Sequence, residues 1–307
     1  RAAFYQHADW IGDDPLRGTT SSNTVLRSDR TTSFNDEFRC YQKNVAGLNL
    51  LRDGVLDDTL QNAYDAETDV LVLIHLEHNG HGISASSAQA LETAVEHWSP
   101  PSSSKDLTPG QHYKVYTAYD TTGTGTCAAS VCIIIRSVIP VRCVTADPRG
   151  RWIHVEIMAN KYKSVHLIGA YPRPGVVALA NQPRRIEFLE AITHRFTHCP
   201  RGTGGYTAGP VLFACDANSV ISPHHRSSGM QPQDGHMSLA HHMSSIHSVS
   251  IFPERHAPTA ASPVYSRRDA HGGALLDHWY THSKRACRAY VKAIGLDNSD
   301  VIIPGSD

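Results

Sequence analysis

The chain has 307 residues, 40% of them hydrophobic and 19% charged, and 28 Lys and Arg against 29 Asp and Glu give a formal net charge of −1. That length and apolar content can bury a sizeable core, as one large α/β domain or two ordinary ones, and the balanced charge excludes a uniformly basic nucleic-acid glove. No stretch approaches the roughly 18 consecutive apolar residues of a membrane helix and the N-terminus has no basic-then-apolar signal pattern, so no membrane partner is expected.

Residues 1 to about 40 are rich in Ser, Thr, Asp and Arg and hold no sustained period, so a poorly ordered lead-in is expected there, with the domain proper running from 41 to 307. Leu48 to Tyr64 reads as a helix, and the continuous apolar run Val70 to Ile74 as a strand buried on both faces. A second helix fits Ala85 to Trp98, ended by Pro100 and Pro101. Tyr113 to Tyr119, Ala128 to Ile135, Val138 to Val144, Trp152 to Met158 and Ser164 to Ala170 are short β-branched and aromatic runs separated by Gly, Pro, Asp and Asn, and predict strands. Pro183 to Phe196 reads as a helix, Pro210 to Cys215 as a strand and Leu239 to His247 as a short helix, with strands and helices alternating after that. A middle this rich in strands does not suit a doubly wound sheet. It suits an α/β four-layer sandwich of two packed mixed β-sheets flanked by helices.

Charge is distributed unevenly. From Asn44 to Ser99 there are nine acidic residues and one basic, whereas Arg149 to Arg201 has nine basic and three acidic, and Arg255 to Lys292 seven basic and two acidic. The acidic third suits a cation site and the basic segments could track a polyanion, although solvated surface charge accounts equally well for any one segment. The seven cysteines are odd in number and show no CxxC spacing. They read as reduced core thiols of an intracellular protein.

Acidic and amide residues fall where strands end: Glu77 in "DVLVLIHLEHNGH", Asp216 and Asn218 in "PVLFACDAN", Asp277 in "GALLDHWYTH", and Asp307 in "DVIIPGSD". Breaking a phosphodiester needs a polarised phosphoryl oxygen, an activated water and charge relief for the leaving oxygen. A divalent cation held by a few carboxylates, with a neighbouring His–Asp pair, supplies all three.

The order of an Asn before the first helix, a strand ending in Glu, a strand ending in Tyr-Pro, a strand ending in Asp-x-Asn, an Asp in a later strand and a final Ser-Asp resembles the endonuclease/exonuclease/phosphatase family, from about Asn44 to Asp307. Within it, "ERHAPTAASPVYSRRDAHGGALLDHW" is similar to a stretch of the apurinic-endonuclease-like domains of non-LTR retroelements. The resemblance implies a DNase I-like fold and a Mg²⁺-dependent nuclease, with Mn²⁺ as an alternative ion and duplex DNA as the partner. Location would be nuclear if genomic DNA is the substrate. A phosphatase or phosphodiesterase acting on a small or lipid phosphate, and a catalytically silent binding module, remain as alternatives.

Residue by residue, the resemblance implies that Asn44 orients the metal-site carboxylate or the phosphate and that Glu77 is the principal Mg²⁺ ligand, an oxygen donor of the hard type. Tyr171 would reach the phosphate through its hydroxyl. Asp216 would hold or deprotonate the attacking water while Asn218 donates to a phosphoryl oxygen; Asp-x-Asn after a buried strand is otherwise an Asx turn. Asp277 would orient a catalytic histidine, and Asp307 would be a second-metal or substrate-side carboxylate. Arg173, Ser266 and Arg267 are expected against the substrate, and Arg184, Arg185 and Arg268 are further candidates for lining a long groove. The family places its histidine one residue beyond Asp307, so the chain reads as a piece of a larger polyprotein cut at the Ser-Asp-His motif. Ala46, Leu76, Cys215 and Leu275 depart from the residues common in relatives. Ala46 removes a candidate oxygen ligand, and the other three read as packing variants. The histidine-rich stretch from His224 to His247 has neither HExxH nor finger-like spacing and does not suit zinc.

Overall fold

The structure, a computed structural model, describes residues 5–11, 37–77, 81–100, 112–122, 130–160, 163–172, 182–198, 210–217, 238–256, 267–269, 272–274 and 277–297. In chain order the elements are β1 (Tyr5–Ile11), β2 (Glu37–Leu48), α1 (Val55–Asp65), β3 (Val70–Leu76), α2 (Ala85–His97), β4 (Tyr113–Ala118), β5 (Ser130–Arg136), β6 (Val141–Ala146), β7 (Trp152–Asn160) and β8 (Lys163–Ala170). There follow α3 (Gln182–His198), β9 (Val211–Asp216), α4 (Leu239–Ser245), β10 (Val249–Ser250), α5 (Ile251–His256), β11 (Arg267–Asp269), β12 (Gly272–Ala274), β13 (Asp277–Thr281), α6 (Lys284–Tyr290) and β14 (Val291–Asp297).

Two six-stranded sheets, ordered β14-β1-β2-β3-β5-β4 and β10-β13-β9-β8-β7-β6, make the two inner layers of the expected four-layer sandwich. Among the described residues each sheet has one parallel pair, β2 with β3 and β8 with β9, and its other pairings are antiparallel. Parallel neighbours need a crossover, and α1 and α3 supply it. The sandwich therefore contains two βαβ units, one per sheet, with their helices on opposite outer faces.

Strand alternation builds three cores from one pattern. In β3, Val70, Val72 and Ile74 join Val131, Ile133, Ile153, Val155, Leu167, Leu212 and Trp279 between the sheets. Leu71 and Leu73 turn outward to Leu56, Leu60, Leu91 and Val95 of α1 and α2. On the far face Ile168, Val211 and Phe213 pack against Phe188, Leu189, Ile192 and Phe196 of α3 and Leu239 and Met243 of α4. The intersheet gap is narrow at Gly169, where a Cβ would come within 2.9 Å of Val131 Cγ1 and 3.0 Å of Val72 Cγ1.

Several boundaries differ from the sequence expectation. β1 lies inside the expected lead-in and β2 starts at Glu37, because both are organised by long-range pairing, β1 being hydrogen-bonded to β14 and β2, with no apolar period of its own. Cys40 is buried between the sheets, so packed structure begins ahead of residue 41. The first helix starts at Val55 instead of Leu48. Residues up to Leu48 are committed to β2, the Asn49 side chain accepts from the Leu51 amide at 3.0 Å, and Gly54 takes φ 77° at the N-cap. The expected strand at Val138 starts at Val141, because Ile139 N–H donates to Arg136 in a tight turn. The helices expected at Ala85, Pro183 and Leu239 form with their ends moved by a residue or two. Of the cysteines, Cys40, Cys132, Cys215 and Cys287 are buried and Cys143 is exposed, while Cys127 and Cys199 lie outside the described residues. No helix among the described residues is long and apolar enough to cross a membrane.

Beneath the outer face of the second sheet, His154 and His166 sit side by side on β7 and β8, 7% and 5% exposed, with Nε2 of the first 3.1 Å from Nδ1 of the second. Burial, then the neighbouring His166 and Arg195, holds the His154 pKa down at about 3, and burial lowers that of His166 as well.

Two outcomes are expected. Gly169→Ala should cost about 1–3 kcal/mol in urea unfolding, because a Cβ this close to two β-branched side chains forces a shift in a packed core. Below pH 6.5 the unfolded chain binds protons that folded His154 excludes, so stability should fall progressively from pH 6.5 toward about 3. His154→Gln should flatten that part of a urea-midpoint profile measured against pH.

Candidate active site

The four candidate residues whose side chains are described stand at the carboxyl ends of the two parallel pairs: Asn44 near the end of β2, Glu77 directly after β3, Tyr171 directly after β8, and Asp216 ending β9. Carboxyl ends of parallel strands are where α/β sheets place ligands, since the chain leaves there in loops free to vary. Here two such ends face each other across the sandwich.

The two are joined by hydrogen bonds that run from one sheet to the other. Gln42 Nε2 donates to the Cys215 carbonyl at 2.9 Å, and two residues further along β2 Asn44 Nδ2 donates to Asp216 Oδ2 at 2.5 Å. Alternation explains the pairing: Cys40, Gln42 and Asn44 share the inner face of β2. Asp216 is 2% exposed, and a buried carboxylate needs such donors. The neighbouring Lys43 is also 2% exposed, and burial brings its pKa down to about 8.

Glu77 is partly open, its side chain 27% exposed, and Oε1 is 3.1 Å from His75 Nε2. The His75 ring lies against Tyr171, with centroids 4.5 Å apart and planes at 20°. Tyr171 is only 6% exposed, so its ring face is engaged with His75. His75 was not among the expected site residues. The signal that could have found it is the His-x-Glu spacing at the end of a buried strand. Further along the chain, Ile83 N–H donates to Ser130 Oγ at 2.8 Å.

Asp277 is the register partner of Asp216 on β13, and Arg267 is paired with Ala274 in the β11–β12 hairpin. Asn218, Arg173, Ser266 and Asp307 lie outside the described residues. Two departures from the common pattern have packing explanations. Leu76 is fully buried beneath the first helix layer, and Cys215 is buried on the α3 side. The basic stretch from Arg149 contributes less to a groove than its charge suggests. Arg149 pairs with Glu187 at 2.9 Å, Arg151 with Asp147 at 2.7 Å, and Arg185 is 6% exposed on α3.

Among the described residues no group of three or more His, Cys, Asp or Glu could hold a metal ion. A Mg²⁺ site does not demand one. That ion usually takes one or two carboxylates and completes its shell with water and substrate phosphate, so Glu77, a partly open carboxylate, suits it.

No family model matches the chain, and no curated protein matches it in sequence. Among solved structures it is similar to the endonuclease domain of TRAS1, a telomere-specific non-LTR retrotransposon, at 13% identity over 79% of this chain and 83% of that one, with a TM-score of 0.44. It is similar to an endonuclease/exonuclease/phosphatase family protein from Leptotrichia buccalis at 9% identity, over 80% and 88% of the two chains, with a TM-score of 0.44. It is also similar to the catalytic domain of human Nocturnin at 11% identity, over 85% and 86%, with a TM-score of 0.46.

Asn44→Asp would set a second carboxylate against buried Asp216. Stability at pH 7 should fall by about 2 kcal/mol or more, and the deficit should shrink as the pH drops through the carboxylate range and the pair takes up a proton, which urea unfolding at pH 4 and 7 would measure.

Proposed function

We propose that the chain is a divalent-metal-dependent phosphodiester hydrolase of the endonuclease/exonuclease/phosphatase kind, and that its substrate is DNA, as for a retroelement endonuclease. The observation that supports this most is the hydrogen bond from Asn44 to Asp216, residues 172 apart in sequence. It joins two members of the motif series at the point where two parallel strand ends face each other.

In this reading Glu77 holds Mg²⁺ or Mn²⁺, which when bound polarises a phosphoryl oxygen and relieves the charge of the leaving oxygen. Asp216, oriented by the Asn44 amide, holds the attacking water and takes its proton as the water oxygen bonds to phosphorus. Asn218 donates to a phosphoryl oxygen, and Asp277, in register beside Asp216, orients a histidine that passes a proton to the departing oxygen. Arg173, Ser266, Arg267 and Asp307 are assigned to the substrate side.

The test is nicking of supercoiled plasmid with Mg²⁺ and with EDTA. Mg²⁺-dependent nicking is expected, and Glu77→Gln and Asp216→Ala should each lower its rate by about two orders of magnitude. A loss under threefold in both would contradict the assignment. Absence of nicking together with hydrolysis of small phosphate esters would point to a phosphatase, and inactivity on both to a binding module.

A further inference from the structure

β3 changes phase at its end. Val70, Val72 and Ile74 face the intersheet core and Leu71 and Leu73 the helix layer. Uninterrupted alternation would turn Leu76 inward and Glu77 outward beneath the helices. Instead Leu76 is buried in the helix-layer core, and the pairing of β3 with both β2 and β5 shifts between Ile74 and Leu76. The residue between them, His75, has φ 68°. A non-glycine residue in the left-handed region at a break in a ladder is a β-bulge, and bulges re-aim the side chains that follow them. This one gives Glu77 the inner face and keeps the His75 ring on the same side, against Tyr171.

Given the assignment of Glu77 as the cation's carboxylate made above, we propose that His75 is a positioning residue for Glu77. Its backbone decides which face Glu77 takes, and its ring decides how the carboxylate points. An ionised carboxylate only accepts, so the imidazole Nε2 carries the proton and donates it to Glu77 Oε1 over 3.1 Å. The stack on Tyr171 removes the ring's freedom to turn away, which a lone exposed histidine would retain. Groups that orient a metal-binding side chain in this way typically change metal affinity by about 10- to 100-fold.

The experiment is Mn²⁺ binding by isothermal titration calorimetry, with Tm recorded for each protein, on the unmodified chain, Glu77→Gln, His75→Gly and His75→Gln. Glycine accepts φ 68° and so keeps the bulge while removing the ring. Glutamine carries an amide N–H out to the place of the imidazole Nε2. Mn²⁺ affinity should fall about tenfold or more in His75→Gly at an unchanged Tm and recover to within about threefold in His75→Gln. Binding that depends on Glu77 but stays within twofold of the unmodified chain in His75→Gly would overturn the role of His75. Binding unchanged in Glu77→Gln would remove Glu77 as a ligand, and with it both this inference and the assignment it rests on.

Discussion

An apolar sandwich can slide, and the hydrogen bonds from Gln42 to Cys215 and from Asn44 to Asp216 are what stop this one. The intersheet core is otherwise built mostly from Val, Ile, Leu and Ala side chains, with Cys40, Tyr171, Trp279 and Cys287 among them, and apolar attraction, being non-directional, is more indifferent to small shifts of one sheet over the other than a hydrogen bond is. A buried carboxylate and a buried amide are not indifferent. Displacing β2 along β9 by one residue would leave Asp216 without the Asn44 donor and strand Gln42 among methyl groups, at a cost of about 1–3 kcal/mol for each unsatisfied group. Polar contacts across the core therefore set the alignment that apolar packing stabilises.

That alignment makes the site out of a repeated arrangement. Each sheet carries a single parallel pair joined through an outer helix, and in both the strand ends point to one end of the sandwich. Asn44 and Glu77 come from the first pair and Tyr171 and Asp216 from the second. The close approach at Gly169 on β8, two residues before Tyr171, brings the sheets together beside this end.

Much of this was legible in sequence because strand interiors here are strongly marked. The run Val70 to Ile74 and the run from Val211 to Cys215 can only be buried strands, and the polar residues that terminate them mark one end of a sheet. The motif order then named Asn44, Glu77, Tyr171 and Asp216 before any of them had a position in space. What was not legible depends on distant partners. β1 and β14 hold no apolar period and exist as strands through each other. The bulge at His75 is a property of backbone conformation, and an alternating pattern read through it would have put Glu77 on the wrong face. Arg185 counted as groove charge in one dimension, yet it is buried on α3.

The most direct test is a double-mutant cycle on stability with Asn44→Ala, Asp216→Ala and the pair, followed by urea unfolding at pH 7. A hydrogen bond to a buried carboxylate that aligns two sheets predicts a coupling of about 1.5–3 kcal/mol between positions that are distant in sequence. Additivity within about 0.3 kcal/mol would mean that the two side chains do not meet, and the convergence of the two parallel pairs on one site would fall with it.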